Sequence, residues 1–481
     1  MNAITFNNSY ATLPDQFYSR QQADPAPDPK LITANSGLAT ELGIDPEFLN
    51  SDAGLAMFSG HQPPQGADPL AMVYAGHQFG GWSARLGDGR ALLLGEVSGY
   101  DIQLKGSGRT PYSRGGDGKS AVGPVIREYI VSEAMHVLGV PTTRALAAVT
   151  TGENVIRETR LPGAILTRVA SSHIRVGTFQ FFYANNDKKA LQTLADYAIQ
   201  RHYPDAQKAE NPIQAFYTAI IERHAKLIAL WMKFGFIHGV MNTDNCQIAG
   251  ETIDYGPCAF MDDFNPMKVF SSIDQKGRYA WGRQAQMAHW NLMRLGEALS
   301  PIWGADEDAS VKEIQSALDG FGTSFNSHFQ TALSQKLGLP APNAAILETT
   351  FQTMAEEEVD FTLFFSRLRR LDQDGGRAKF LSLFKQPKAA DAWLESWQTA
   401  RDDSDITAKD SHALMCAANP IYIPRNHRVE EAIQAGQTGN YEPMHRLIAV
   451  LKNPFEQQSD SEEFEQAPQA EQIVQQTFCG T

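Results

Sequence analysis

Cysteine is scarce. The four that occur in 481 residues, Cys246, Cys258, Cys416 and Cys479, form no C-x-x-C pair, which argues against both a zinc ribbon and a disulfide framework. No apolar run approaches the roughly 20 residues that a helix needs to cross a bilayer. The opening stretch, MNAITFNNSYATLPDQF, has neither a basic start nor an apolar centre, so no secretory leader is expected. A reducing cytoplasm, with no membrane partner, is the expected setting. Positive charge is also short: a net charge of −14 argues against a general nucleic-acid binder, whose footprint would be basic. Internal repeats are absent. What remains, 42% hydrophobic and 20% charged residues, is ordinary for a globular chain long enough for two or three domains or one large bilobal one.

Against that acidic background, the clustering of chemistry in one stretch stands out. HGVMNTDNCQIAGETIDYGPCAFMDDF runs from His238 to Phe264 and reads as a tight polar loop, a short return and an Asp-Tyr-Gly turn. Asp244 and Asn245 sit together in the loop, and Asp254 opens the turn. Two oxygen ligands on neighbouring loops suit a hard cation that must also hold phosphates. Protein kinases meet that need with H-R-D-x-x-x-x-N followed by D-F-G. With Asn245 on the kinase Asn, the kinase catalytic Asp falls on Val240, which cannot accept a proton. Taken alone, N-T-D-N is also an ordinary turn sequence. His238 reads as a packing histidine that props the loop, with a ligand or base role as the alternative.

The deciding question is whether the upstream chain supplies a phosphate-gripping lysine with its carboxylate. Residues 1–70, rich in Pro, Asn and Asp, read as an irregular arm with one short helix near 37–49. Residues 74–97, YAGHQFGGWSARLGDGRALLLGEV, pair a glycine loop with an apolar strand over 91–97. Gly87 and Gly89 would let backbone N–H groups approach a phosphate, and Arg90 would add charge. A plain glycine turn between strands is the alternative. A second strand over 100–105 ends in Lys105 and runs into GSGRTPYSRGGDGKSAVG, a basic loop that carries Asp117 and Gly118. That loop is not a Walker A motif, since Ser113 stands where glycine is required. It is not a dinucleotide fingerprint either, since Pro111 breaks it.

Pro124 then starts an amphipathic helix that closes near Gly139, with Glu128 in its second turn. Strand, lysine, loop, helix, glutamate is the order in which a kinase small lobe builds its Lys–Glu pair. Two further strands, over 145–150 and 163–169, lead to Arg168 and then Arg175. These could clamp a polyphosphate or form ordinary surface ion pairs. From about residue 188 long helices are predicted: 190–202, 212–234, 283–298, 311–337, 345–371, 389–401 and 442–451. The acidic stretch EQQSDSEEFEQAPQAEQ near the end is expected to be mobile.

Read together, GHQFGGWSARLGDGR, QLKGSGRTPYSRGGDGK and the 238–264 block resemble the selenoprotein O family, kinase-fold proteins once classed as pseudokinases. The resemblance runs from about Tyr74 to the end. It implies an α+β, bilobal protein-kinase-like fold, with a small β-rich N-lobe bearing one key helix and a large helical C-lobe with a helical extension. The corresponding segments are an arm over 1–70, the N-lobe over 71–185, the C-lobe over 186–335 and the extension over 336–481. The implied activity is protein adenylyl transfer, moving AMP from ATP to Ser, Thr or Tyr hydroxyls of protein substrates with release of pyrophosphate. The nucleotide would lie flipped relative to kinases, and UMP transfer occurs in some relatives.

Carried over by position, Gly87, Gly89, Arg90, Lys105, Asp117, Gly118, Arg168 and Arg175 are the implied nucleotide contacts, with Lys105 paired to Glu128. Asn245 and Asp254 are the implied Mg²⁺ or Mn²⁺ ligands, and Asp244 the implied proton acceptor. Cys479 stands where eukaryotic members carry selenocysteine. Some bacterial members pair that position with a cysteine after D-Y-G, but residues 269–272 here contain none. Two competing readings remain: a small-molecule or protein kinase, which would normally keep an Asp at position 240, and an inactive pseudokinase scaffold.

Overall fold

A computed structural model describes residues 4–478; Cys479 lies outside the described residues. The first 170 residues are rich in strand, and everything after Arg175 is dominated by helix. In chain order the strands are β1 (Tyr18–Arg20), β2 (Lys30–Ala34), β3 (Leu70–Met72), β4 (Gly76–Gln78), β5 (Gly81–Ser83), β6 (Ala91–Val97), β7 (Tyr100–Lys105), β8 (Ser120–Ala121), β9 (Arg144–Ile156) and β10 (Arg160–Ala170). All but β4 and β5 join one sheet in the order β1-β3-β6-β7-β10-β9-β2, with β8 added to β10. The pairings are antiparallel. The predicted strands over 91–97 and 100–105 are β6 and β7, while β9 and β10 form one longer hairpin than the apolar runs alone indicated.

Alternation along these strands sends side chains to two different cores. Leu166 and Ala148 face the helix over Val122–Val137, α4, whereas their neighbours Ile165 and Val149 face the N-terminal segment. That segment is therefore not an irregular arm. It supplies both edges of the sheet, β1 and β2, and folds three short helices, α1 (Ser36–Glu41), α2 (Pro46–Leu49) and α3 (Asp52–Phe58), across one face. Its buried residues, such as Leu38, Phe48 and Phe58, are scattered among caps and turns, so no period reveals them. Asn35, Asp45 and Ser51 each accept a backbone N–H at the start of one of these helices, as N-caps do.

Helix α4 (Val122–Val137) crosses the opposite face and begins two residues before Pro124. The helical region continues with α5 (Val176–Ala184), α6 (Lys188–His202) and α7 (Pro212–Lys233), the last capped by Asn211 with proline in its first turn. A two-stranded ribbon, β11 (Phe236–Ile237) with β12 (Ala259–Phe260), brackets the 238–258 loop system. Then follow α8 (Gln284–Trp303), α9 (Glu307–Lys336), α10 (Ala344–Glu356), α11 (Phe361–Leu368), α12 (Gly376–Leu381), α13 (Pro387–Asp402), α14 (Ala408–Ala418), α15 (Asn426–Gln437), α16 (Glu442–Leu451) and α17 (Glu462–Glu465). The single helix expected over 345–371 is two. Glu358 takes a left-handed φ of +50°, and Asp360 caps α11 while its carboxylate receives Arg425.

The last helices return to the sheet. α15 and α16 pack on α4, burying Val429, Ile433 and Leu447 against Val122, Ile126 and Tyr129. The acidic stretch expected to be mobile is anchored instead. Phe464 is buried in that same core, Glu465 pairs with Arg370, and Glu463 with Arg446. Thr477 exchanges backbone hydrogen bonds with Phe270 and Ser272. Buried aromatic and ion-pair anchors outweigh the self-repulsion that the composition suggested. Among the described residues, no helix is long and apolar enough to cross a membrane.

Candidate active site

A cleft of about 800 Å³ opens between the sheet and the 238–257 loops. Every residue that the sequence marked as a nucleotide, metal or proton-transfer group lines it, among others: Gly87, Gly89, Arg90, Lys105, Asp117, Gly118, then Glu128, Arg168, Arg175, Asp244, Asn245 and Asp254. They come from six separate stretches of chain, 87–90, 105, 117–118, 128, 168–175 and 244–254. Three elements set the geometry: β7 ends on Lys105, β10 carries Arg168 in register with Gln103, and α4 presents Glu128 from behind.

At the floor, Lys105 Nζ lies 2.6 Å from Glu128 Oε2 and 2.8 Å from Asp254 Oδ1. The other Glu128 oxygen receives Arg168, through Nε at 2.8 Å and through Nη2. Arg168 Nη2 also reaches Asp254 Oδ1 at 2.7 Å, and Arg175 Nη1 reaches Oδ2 at 2.9 Å. Three cations thus share two carboxylates. Burial pushes the Asp254 carboxyl up, but Lys105, Arg168 and Arg175 outweigh it and hold it well below the ordinary range. Burial likewise raises Glu128, and Arg168 with Lys105 outweighs that too. Burial and the neighbouring Arg168 lower the Lys105 ammonium against the pull of both carboxylates. Asp254 itself sits at φ +63°, a left-handed conformation that Asp tolerates better than most residues.

The 238–245 loop is held from beneath. His238 Nε2 lies 2.8 Å from the Ile253 carbonyl and its ring stacks on Trp231, so this histidine is a prop, as its setting in the sequence suggested. The side chain of Val240 is buried, and its carbonyl accepts Asn245 Nδ2 at 3.1 Å. That bond commits the amide nitrogen and leaves Oδ1 as the acceptor of a residue that lines the cleft. Arg175 Nη1 donates to the Asp244 carbonyl at 2.5 Å. The Asp244 side chain accepts from Gln78 Nε2 at 3.1 Å through Oδ2, while Oδ1 is buried with no hydrogen-bond partner among the described residues. Burial pushes its carboxyl up to about 6.

The residues of this chain match the family described as "Protein adenylyltransferase SelO" over residues 1–452. The chain is also 52% identical over 492 aligned positions to "Protein nucleotidyltransferase YdiU" of Methylorubrum populi, with 99% of each chain covered. The protein of the same name from Rhodopseudomonas palustris is 52% identical over 486 positions, again with 99% of each covered. That from Rhizobium etli is 51% identical over 489, covering 100% of this chain and 98% of the relative. The chain belongs to the SelO family. Membership places it among the nucleotidyltransferases, enzymes that act on a nucleotide and usually need a divalent metal.

Other features of this SelO-family site escaped the sequence reading. Asp88, between the two loop glycines, is buried beside Arg175 at 3.8 Å and accepts the Met72 N–H. Its place inside L-G-D-G-R was the available signal. Tyr74 lies under the Arg175 guanidinium at 4.7 Å. Asp117 faces the cleft, but both its oxygens are taken by Arg157, at 2.8 and 3.2 Å. Arg157 sits at the tip of the β9–β10 hairpin, 40 residues downstream, so no local pattern announced it. Gly87 has φ +81°, and a Cβ there would lie 2.4 Å from the Tyr112 ring. This closeness, rather than freedom alone, explains the glycine. A Cβ on Gly118 would strike the Gly108 carbonyl, so the two ends of the 106–119 loop close tightly on each other at that point.

Proposed function

We propose that this chain transfers AMP from ATP to Ser, Thr or Tyr hydroxyls of protein substrates, releasing pyrophosphate. The observation that carries this reading is the convergence of Lys105, Arg168 and Arg175 on one floor, opposite a carboxylate, Asp244, that is paired with no cation side chain. In this reading Asp244 takes the acceptor proton. The freed oxygen forms a bond to the α-phosphorus as the bond from that phosphorus to the oxygen bridging toward β breaks. Pyrophosphate leaves with the negative charge, where preorganised cations are most effective. Arg175 and Lys105, the latter aimed by Glu128, fit charge-assisted contacts to its oxygens, with Arg168 adding its charge while it braces Glu128 and Asp254 from behind.

The donor set fits a hard divalent cation. Asp254 is held ionised by its neighbours, and Asn245 has its amide nitrogen fixed and its oxygen left as acceptor. Asn245 and Asp254 would hold Mg²⁺ or Mn²⁺, which supplies charge neutralisation between protein and phosphates. UTP in place of ATP is a second donor compatible with the same floor. The β-rich and helical regions are proposed to be the small and large lobes of a kinase-like fold, over 71–185 and 186–335. Residues 1–70 and 336–481 would be packed on them, in a cytoplasmic protein. A kinase reading lacks a base at Val240. A scaffold reading leaves three buried cations without a purpose.

Incubated with ATP, Mg²⁺ and a protein acceptor, the enzyme should release pyrophosphate in step with acceptor modification. Stoichiometric ADP instead would favour the kinase reading.

A further inference from the structure

The β4–β5 hairpin stands apart from the main sheet and lies over the 242–244 loop. Gly76 pairs with Ser83, His77 with Trp82 and Gln78 with Gly81. Phe79 and Gly80 make the turn with φ of +51° and +85°, as a tight hairpin turn requires. Three donors run from this ribbon onto three successive loop residues. Phe79 N donates to Asn242 Oδ1 at 3.0 Å, His77 N to Thr243 Oγ1 at 2.7 Å, and Gln78 Nε2 to Asp244 Oδ2 at 3.1 Å. The ribbon is itself braced: the His77 ring packs between Trp82 and Trp290, and Phe79 meets Tyr279 edge-on at 5.2 Å.

The approach is close enough to require a glycine. A Cβ on Gly76 would lie 2.6 Å from Asp244 Oδ1. The backbone of Gly76 thus seals one carboxylate oxygen, which has no hydrogen-bond partner among the described residues. The other oxygen carries the Gln78 amide. A carboxylate's terminal torsion is soft, so its plane must be fixed by what bonds to it. An ionised carboxylate oxygen has lone pairs for two donors. With Gln78 on one, the second is left for a hydroxyl entering from the cleft, which both side chains line.

We infer that the β4–β5 hairpin is a positioning element for the transfer step, in which the Gln78 amide aims the Asp244 carboxylate at the acceptor hydroxyl. The inference rests on Asp244 being the proton acceptor in the proposed function. Gln78 touches neither reacting oxygen nor phosphorus; it acts through Asp244. It belongs to the acceptor half of the site and leaves the nucleotide floor of Lys105, Arg168 and Arg175 untouched.

The test compares Gln78→Met, which keeps length and removes the donor, with Gln78→Lys, which restores a donor on a flexible stem. For each, kcat of adenylyl transfer, KM for ATP and the calorimetric Kd for Mg·ATP are measured. Gln78→Met should lower kcat by about 10–100-fold, the scale of a misaimed catalytic group, with Kd for Mg·ATP within about twofold of the parent. Gln78→Lys should recover a substantial part of that kcat. A packing role predicts the reverse order, with Met tolerated and Lys harmful, and that order overturns the inference. A parallel fall in ATP affinity overturns it as well. Should Gln78→Met not fold, by thermal midpoint, Gln78→Leu carries the same comparison. Asp244→Asn separates the two levels. If it retains transfer, the base assignment itself fails; if it loses transfer while Gln78→Met does not, the positioning inference alone fails.

Discussion

At the scale of single residues, the two aspartates of the 244–254 segment differ in what surrounds them, and that difference predicts different phenotypes. Asp254 is bound by Lys105, Arg168 and Arg175. Asp254→Ala should therefore abolish metal-dependent nucleotide binding and also destabilise the fold, because three buried cations lose a partner. Asp244→Ala should keep most nucleotide affinity and lose transfer by roughly 10²–10⁴-fold, the range for a general base. Equal loss of ATP affinity in both, by calorimetry, would make Asp244 a ligand. The Lys105–Glu128 pair invites a double-mutant cycle. Considered alone, the pair predicts that Lys105→Ala/Glu128→Ala is no worse than Lys105→Ala. Arg168 on the second Glu128 oxygen changes that expectation: the double variant should be clearly worse in stability and activity. Equality would show that Arg168 does not depend on Glu128. A third residue gives a pH signature. Burial pushes the Glu251 carboxyl up to about 7 against the Ser171 N–H that it accepts. Unfolded Glu titrates near ~4.3, so between those values the native state holds more protons than the unfolded one. This contribution is fully present below the unfolded pKa and is lost as pH rises through 7. Glu251→Gln should match the parent's thermal midpoint near pH 5 and exceed it near pH 8, and parallel midpoint–pH curves would contradict the assignment.

At the scale of elements, α4 is the piece whose placement decides whether Glu128 reaches Lys105. Its outer face is closed by α15 at glycine-sized contacts: a Cβ on Gly436 would lie 2.4 Å from Ile126 Cδ1, and one on Gly123 would lie 3.0 Å from Ile433. Gly436→Val should force α15 and α4 apart and press α4 out of its seat on the sheet. Overpacking of this kind costs about 1–3 kcal/mol, and nucleotide affinity should fall even though the substitution faces away from the cleft. Unchanged ATP affinity at reduced thermal stability would mean that α4 is held by the sheet alone. The α15 start also grips the β11–β12 ribbon, since Asn426 both donates to and accepts from the Phe260 backbone while Arg425 binds Asp262. The elements that were legible in sequence were those with a strong period: β6, β7, α4, α7 and α16. Those that were not, such as α5 and α15, bury small or mixed residues, Gly177 and Thr178 in one and Ala432 and Gly436 in the other. The faces of α5 also carry little hydrophobic contrast.

At the scale of the whole molecule, the candidate site residues stood out in the sequence because each sits in a glycine- or polar-rich block that secondary structure alone does not require. Their convergence on one cleft was not readable from any block; it follows from the register of β7 with β10 and from α4 crossing behind them. The N-terminal and C-terminal segments, which looked peripheral, close the two faces of that sheet. They therefore belong to the machinery that aims Lys105 and Glu128. The central claim is that the α-phosphorus, not the γ-phosphorus, is transferred. Parallel incubations with α-³²P and γ-³²P ATP, each with a divalent metal and a protein acceptor, test it most directly. The account predicts label on protein, acceptor or enzyme, from the α-labelled nucleotide alone, and incorporation from the γ-labelled nucleotide alone would contradict it.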